Sequence, residues 1–133
     1  MKQLATALLI TSLLFSCKKN ESDNPVFELA GRYRGTFNRT GMDTTQVSVY
    51  FKDNHTFEGT GGPLNYPAIC SGSFQQNGNN LAVNDTCAWT ANFDWTLIFD
   101  GNFNLSFTNE NSVRIWRTNG TWTDEYILTR ITR

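Results

Sequence analysis

Few side chains in this 133-residue protein can do covalent or acid–base chemistry, and their spacing narrows what that chemistry can be. His55 is the only histidine and stands between Asn54 and Thr56 in a turn-like stretch. A histidine-based triad or a multi-histidine metal site therefore cannot be assembled, and His55 reads as an exposed turn residue. Asp53, Asp94, Asp100, Glu110 and Asp124 fall mostly at turns and strand ends, where Asp caps and bends the chain. No two of these carboxylates have a spacing that argues for a glycosidase pair. No glycine-rich phosphate loop follows a strand and opens a helix. The residues thus describe a non-enzyme without cofactor or metal. What remains is cysteine chemistry, at Cys17, Cys70 and Cys87.

Cys17 ends an address-like segment. Lys2 gives a short positive start, and Leu4 to Phe15 is apolar apart from Thr6, Thr11 and Ser12. That stretch falls short of the ~20 residues a spanning helix needs, and it has the form of a signal peptide over residues 1–16. Leu14-Phe15-Ser16-Cys17 resembles the lipobox of bacterial lipoproteins, although Phe15 is bulkier than the usual residue there. The resemblance implies cleavage before Cys17, lipidation of that cysteine and anchoring in a membrane. It places the chain in the cell envelope, as an outer-membrane lipoprotein of a Gram-negative bacterium. Multiple acylation would make the anchor durable, each buried CH2 contributing roughly 0.8 kcal/mol. Residues 17–25 (CKKNESDNP) hold no aromatic or aliphatic side chain, so they read as a flexible tether of about 30 Å when extended.

Cleavage there would leave ten basic against twelve acidic residues, a net charge of −2 before terminal groups. A sequence-independent nucleic-acid binder needs a basic footprint, so nucleic acid is not an expected partner. The remaining residues, 26–133, suffice for one domain and not two. Their wealth of Phe, Thr, Asn, Gly and Trp favours strands and turns.

Period-2 alternation runs along nearly the whole domain. Phe27, Leu29, Gly31, Tyr33, Gly35 and Phe37 share one face; Val47, Val49 and Phe51 alternate with Gln46, Ser48 and Tyr50. Phe57, Gly59 and Gly61 follow, then Phe93, Trp95, Leu97 and Phe99, then Phe103, Leu105 and Phe107, and Tyr126 and Leu128 close the chain. Turn signals separate them at Asp53-Asn54, Gly78-Asn79, Asp100-Gly101-Asn102, Asn109-Glu110-Asn111 and Asn119-Gly120. Short turns join antiparallel neighbours, so the expectation is an all-β up-and-down meander of eight or nine strands. Closure into a barrel removes exposed edges and is preferred over a sandwich.

Cys70 and Cys87 are the only cysteines after Cys17, in an oxidising compartment. With Gly78-Asn79 as a two-residue turn, Asn77 faces Asn80, Phe74 faces Val83, and Cys70 faces Cys87. The cysteines then occupy a non-hydrogen-bonded pair, about 4.5 Å between Cα atoms, which a disulfide tolerates. A turn at Asn77-Gly78 would put Asp85 opposite Cys70 instead. The predicted bridge contributes roughly 3 kcal/mol.

In a meander, alternate loops share an end. The connections after Phe51, Gln76, Asp100 and Arg117 are tight and polar, whereas Arg39–Thr44, Gly61–Ala68 and Thr86–Asn92 are longer and richer in Gly, Pro and aromatics. Met42, Leu64, Tyr66, Ile69, Trp89 and Phe93 gather at that second end. A barrel with one closed and one open end binds ligands at its mouth, so Tyr66, Ile69, Trp89 and Phe93 are the candidate ligand-binding residues. The inward aromatics argue for a packed interior and a shallow ligand. Arg32, Arg34 and Arg39 read as a solvated basic stripe on the outward face of the first strand, and Trp116 as outward-facing. Asp43-Thr44-Thr45 resembles a short acidic O-glycosylation signal and reads equally as a turn.

Leu29-Ala30-Gly31-Arg32-Tyr33-Arg34-Gly35 opens the domain, and Tyr126-Ile127-Leu128-Thr129-Arg130 closes it. The pattern resembles lipocalin-like (calycin) domains of small bacterial lipoproteins. In lipocalins a Gly-x-Trp on the first strand packs beneath an Arg from near the last strand at the closed end. The matching positions are Gly31, Tyr33 and Arg130, with Tyr in place of Trp, and their implied role is structural. The resemblance implies a monomeric binding module for a small apolar or amphipathic ligand; an envelope protein is the alternative partner.

Overall fold

The computed structural model describes residues 27–90 and 92–132, and within them the alternating segments form eight strands. These are β1 (Gly31–Arg39), β2 (Thr45–Phe51), β3 (Thr56–Thr60), β4 (Ser71–Asn77), β5 (Asn80–Asp85), β6 (Gly101–Asn109), β7 (Ser112–Asn119) and β8 (Trp122–Arg130). Each pairs antiparallel with the next, and β8 returns to β1 to close the barrel. The fold is therefore the all-β closed meander, compatible with lipocalin-like architecture, and its strand number is eight. The leader over residues 1–16, the tether over 17–25 and Cys17 lie outside the described residues.

The ninth alternating segment is not a strand. Residues 93–99 contain a 3-10 turn (Trp95–Leu97) and touch the rest of the backbone through one parallel bridge, Ala68 to Ile98. Leu97 and Phe99 do point inward and are buried, but Trp95 is exposed. Losing one strand reverses the direction of every later one. The Asn109–Asn111 turn therefore moves to the tight-turn end, and Asn119-Gly120 joins the loop-rich end.

Inward positions fill the barrel. Tyr33, Phe37, Phe51, Phe57, Phe99 and Tyr126 are almost wholly buried. Phe99 sits at the centre, its ring 5.0 Å from Phe103, 5.1 Å from Tyr126 and 5.5 Å from Phe57. Such edge and tilted contacts add to the large area these rings remove from water. Burial pushes the Tyr33 and Tyr126 hydroxyls above the usual phenol range, and among the described residues neither has a hydrogen-bond partner.

The tight-turn end is covered by the entering chain. Gln76 donates to the Phe27 carbonyl (2.8 Å) and accepts from the Leu29 amide (2.9 Å), holding buried Leu29 against the core. Arg130 lies opposite Tyr33 in register, its guanidinium carbon 5.1 Å from the ring centroid. Its amines donate to the Ala30 and Glu28 carbonyls. Gly31 has a left-handed φ of 143°, and a Cβ there would lie 2.7 Å from Arg130 Nη1.

The predicted hairpin register is present: Asn77 faces Asn80, Phe74 faces Val83 and Gly72 faces Asp85. Cys70 and Cys87 are bridged. Their Cα atoms stand 6.3 Å apart, wider than the ladder spacing expected, because the cysteines flank the strands rather than lie within them. The last ladder bond runs from the Thr86 amide to Ser71; past it the two chains diverge.

The barrel seam depends on Gly35. A Cβ there would lie 1.9 Å from the Ile127 carbonyl oxygen on β8, so only glycine permits this strand approach. Gly35→Ala is expected to destabilise by about 1–3 kcal/mol through overpacking, read as a lowered urea midpoint; an unchanged midpoint would show that the seam has slack.

Candidate functional site

The loop-rich end is built around an inward-facing carboxylate. Alternation along β8 turns Asp124, Tyr126 and Leu128 to the interior, and all three are buried. An unpaired buried carboxylate would be prohibitive. In register, Arg39 on β1 lies directly opposite Asp124 on one side, and Arg117 on β7 on the other. Arg39 makes a two-pronged contact, Nε to Oδ1 at 2.6 Å and Nη2 to Oδ2 at 2.9 Å, and Arg117 Nε donates to Oδ2 at 3.2 Å. Arg39 is thus buried, not part of an outward stripe. Its parity with Phe37 dictates this; the outward-facing arginines of β1 are Arg32 and Arg34.

The spare N–H groups of both arginines hold residues 94–100 across the barrel end. Arg39 Nη1 donates to Asp94 (3.0 Å) and to the Thr96 hydroxyl (2.8 Å). Arg117 donates to the carbonyls of Asp100 (2.6 Å) and Ile98 (3.2 Å). The Thr96 carbonyl accepts from Arg39 Nη2 at 3.1 Å and Arg117 Nη2 at 2.5 Å. Burial disfavours the Arg39 charge, but Asp124 and Asp94 outweigh it and hold its pKa above the ordinary value. Hydrogen bonding from Thr96, with a smaller contribution from Arg39, keeps the Asp94 carboxyl below its usual range.

This lid seals the end that the sequence reading treats as open, and it divides the four candidate ligand residues. Ile69 is buried in the core. Tyr66 packs edge-on against Phe37 at 5.2 Å, and its hydroxyl accepts from the Arg39 amide at 3.1 Å. Both are parts of the closure. Trp89 and Phe93 stay on the outer surface, rings 5.7 Å apart, with the Trp89 indole donating to Asp85 at 2.8 Å. Trp95 continues that row, 6.2 Å from Phe93.

Beyond Trp95 lies a cleft of about 420 Å³ that the sequence reading does not anticipate. Trp95 and Trp122 both line it, with Thr96, Ile98, Asp100, Arg117 and Asn119 supplying the rest of its surface. The Arg39 guanidinium carbon sits 3.8 Å over the Trp122 ring. Two misplacements hide this cleft from sequence: Trp95 assigned inward on a strand, and the β7–β8 turn assigned to the opposite end. The only available signal is that Trp122 stands one residue past the Asn119-Gly120 turn.

Met42, Leu64 and Trp95 are the exposed large apolar residues of this end, one on each long loop. Leu64 is 93% exposed, and it and Asn65 both have positive φ. His55 is an exposed residue of the β2–β3 turn at the other end. Among the described residues, no group of three or more His, Cys, Asp or Glu side chains could hold a metal ion. Comparison of the chain with protein-family models, curated proteins and solved structures returns no match.

Removing the Asp124 carboxylate would strand two arginines in a largely dehydrated site. Asp124→Ala is expected to cost about 3–5 kcal/mol and to loosen residues 94–100. Thermal unfolding with hydrogen exchange of the lid amides checks this; wild-type protection in the variant would show that the arginines do not hold the lid.

Proposed function

We propose that the chain is a lipid-anchored lipocalin-like module of the bacterial cell envelope, and that it binds a small amphipathic ligand at its loop-rich end without transforming it. The observation carrying this reading is the cleft between Trp95 and Trp122, which joins two indoles to a polar lining. Small-molecule sites are typically clefts of about 300–1,000 Å³ with apolar walls and a few polar groups that fix orientation. Interior aromatics fill the barrel, so the ligand is held outside it. Trp89 and Phe93 extend the apolar surface beside Trp95. The chain enters the barrel at the opposite, tight-turn end, where Phe27 to Ala30 run into β1. A tether from Cys17 would therefore join the end remote from the cleft.

Native mass spectrometry with laurate, maltotriose and protoporphyrin tests the binding. Saturable binding of at least one, weakened about tenfold or more by Trp95→Ala as expected for losing one aromatic wall, supports the reading. No binding to wild type, or equal binding to the variant, sinks it.

The anchor has its own test. Cys17→Ser is expected to abolish labelling by a fatty-acid probe and release the protein from the membrane fraction, and retention of both would remove the lipoprotein reading.

A second reading, recognition of another envelope protein, is favoured by Met42, Leu64 and Trp95 standing exposed on three separate loops. Leu64 is outside the cleft, so Leu64→Asp would break a protein contact while leaving small-ligand binding intact.

A further inference from the structure

The outer wall of β1, β2 and β3 carries a second concavity, of about 600 Å³, on a different face from the Trp95–Trp122 cleft. Strand register arranges its outward side chains in two cross-strand rows. The first runs Arg32, Tyr50, Glu58; the second runs Arg34, Ser48, Thr60, with Thr129 on β8 flanking Arg34. The first row is internally satisfied. The Arg32 guanidinium carbon lies 3.9 Å over the Tyr50 ring, and Glu58 is held by Lys52 at 2.9 Å.

The second row is different. It holds one cation and three hydroxyl groups, and no carboxylate faces it. Among the described residues, no hydrogen bond or ion pair engages the side chains of Arg34, Ser48, Thr60 or Thr129. Opposite-charge cross-strand pairs are the ordinary arrangement for a cation on a sheet. Elsewhere on the wall, Lys52 reaches Glu58 and Arg114 reaches Glu125 at diagonal positions on neighbouring chain. Arg34 departs from this arrangement, on a chain whose net charge is −1.

We propose that this wall is a binding site for an acidic saccharide. The sugar's carboxylate takes the Arg34 guanidinium as a two-pronged partner, the geometry that fork was made for. Ser48 and Thr60 hydroxyls bond ring hydroxyls beside it. The Arg32–Tyr50 pair, two residues along the same strands, offers a flat cation-backed surface for the next sugar ring. Because the side chains project from paired strands, the backbone needs no ordering on binding, and the cost is that of fixing the Arg34 side chain.

Calorimetry on the purified protein with trigalacturonate, neutral galactotriose and inorganic phosphate tests this. The expected result is saturable trigalacturonate binding that weakens with salt, with no galactotriose binding and much weaker phosphate binding. Arg34→Gln, at an exposed position, should lower the affinity about tenfold or more, the scale of one charge-assisted contact. Arg114→Gln, on β7 beyond β8 and already engaged by Glu125, controls for general charge loss and should change it little. No trigalacturonate binding, phosphate binding as tight as the saccharide's, or equal losses in the two variants would overturn the proposal.

Discussion

Asp124 is the constraint from which the loop-rich half of this barrel follows. An inward carboxylate on β8 must be neutralised, and the two positions directly opposite it on the flanking strands are Arg39 and Arg117. Once those guanidiniums turn inward they bring far more N–H donors than one carboxylate can accept. The surplus needs acceptors near the barrel axis, and the carbonyls of Thr96, Ile98 and Asp100 supply them. The carbonyls of Thr96 and Asp100 are aimed at guanidiniums rather than at a neighbouring strand. Residues 94–100 therefore cross the barrel end as irregular chain while Leu97 and Phe99 drop into the core.

Much of the fold was legible because alternation and turn chemistry are local signals. Gly78-Asn79 specifies the register of β4 and β5, and that register brings Cys70 toward Cys87. What escaped reading is long-range. Phe93, Trp95, Leu97 and Phe99 alternate as a strand would, and nothing nearby in sequence reveals that arginines claim the backbone carbonyls. Arg39 has inward parity, but the partner that makes an inward arginine tolerable lies 85 residues away. For Tyr66 and Ile69 the difficulty is related. Apolar residues in long loops can serve as a mouth or as its closure, and only packing against Phe37 and the core decides between them.

The two barrel ends share one solution. Closing a sheet removes its edges, but chain crossing an open end still carries carbonyls with no ladder partner, and burying them unbonded is costly. At the tight-turn end Arg130 donates to the carbonyls of Glu28 and Ala30. At the other end Arg39 and Arg117 do the same for the lid. In both places the arginine also lies against an aromatic ring, Tyr33 for Arg130 and Trp122 for Arg39. Guanidinium suits this task because it is planar, multiply donating and weakly hydrated.

Sealing both ends has a consequence for binding. A barrel with an open interior can hold a ligand there; this one fills its inward positions with Phe51, Phe57, Phe99, Phe103 and Tyr126. A packed interior leaves only the outer surface accessible. The side chains of Met42, Leu64 and Trp95 are exposed on the loops, and so is that of Arg34 on the wall. Exposed apolar side chains and unmatched cations each forgo stability that burial or pairing would give. Elsewhere the barrel buries Phe51, Phe57, Phe99 and Tyr126 and engages Arg39, Arg114 and Arg117 with carboxylates, so these side chains stand apart from the forces that hold the fold.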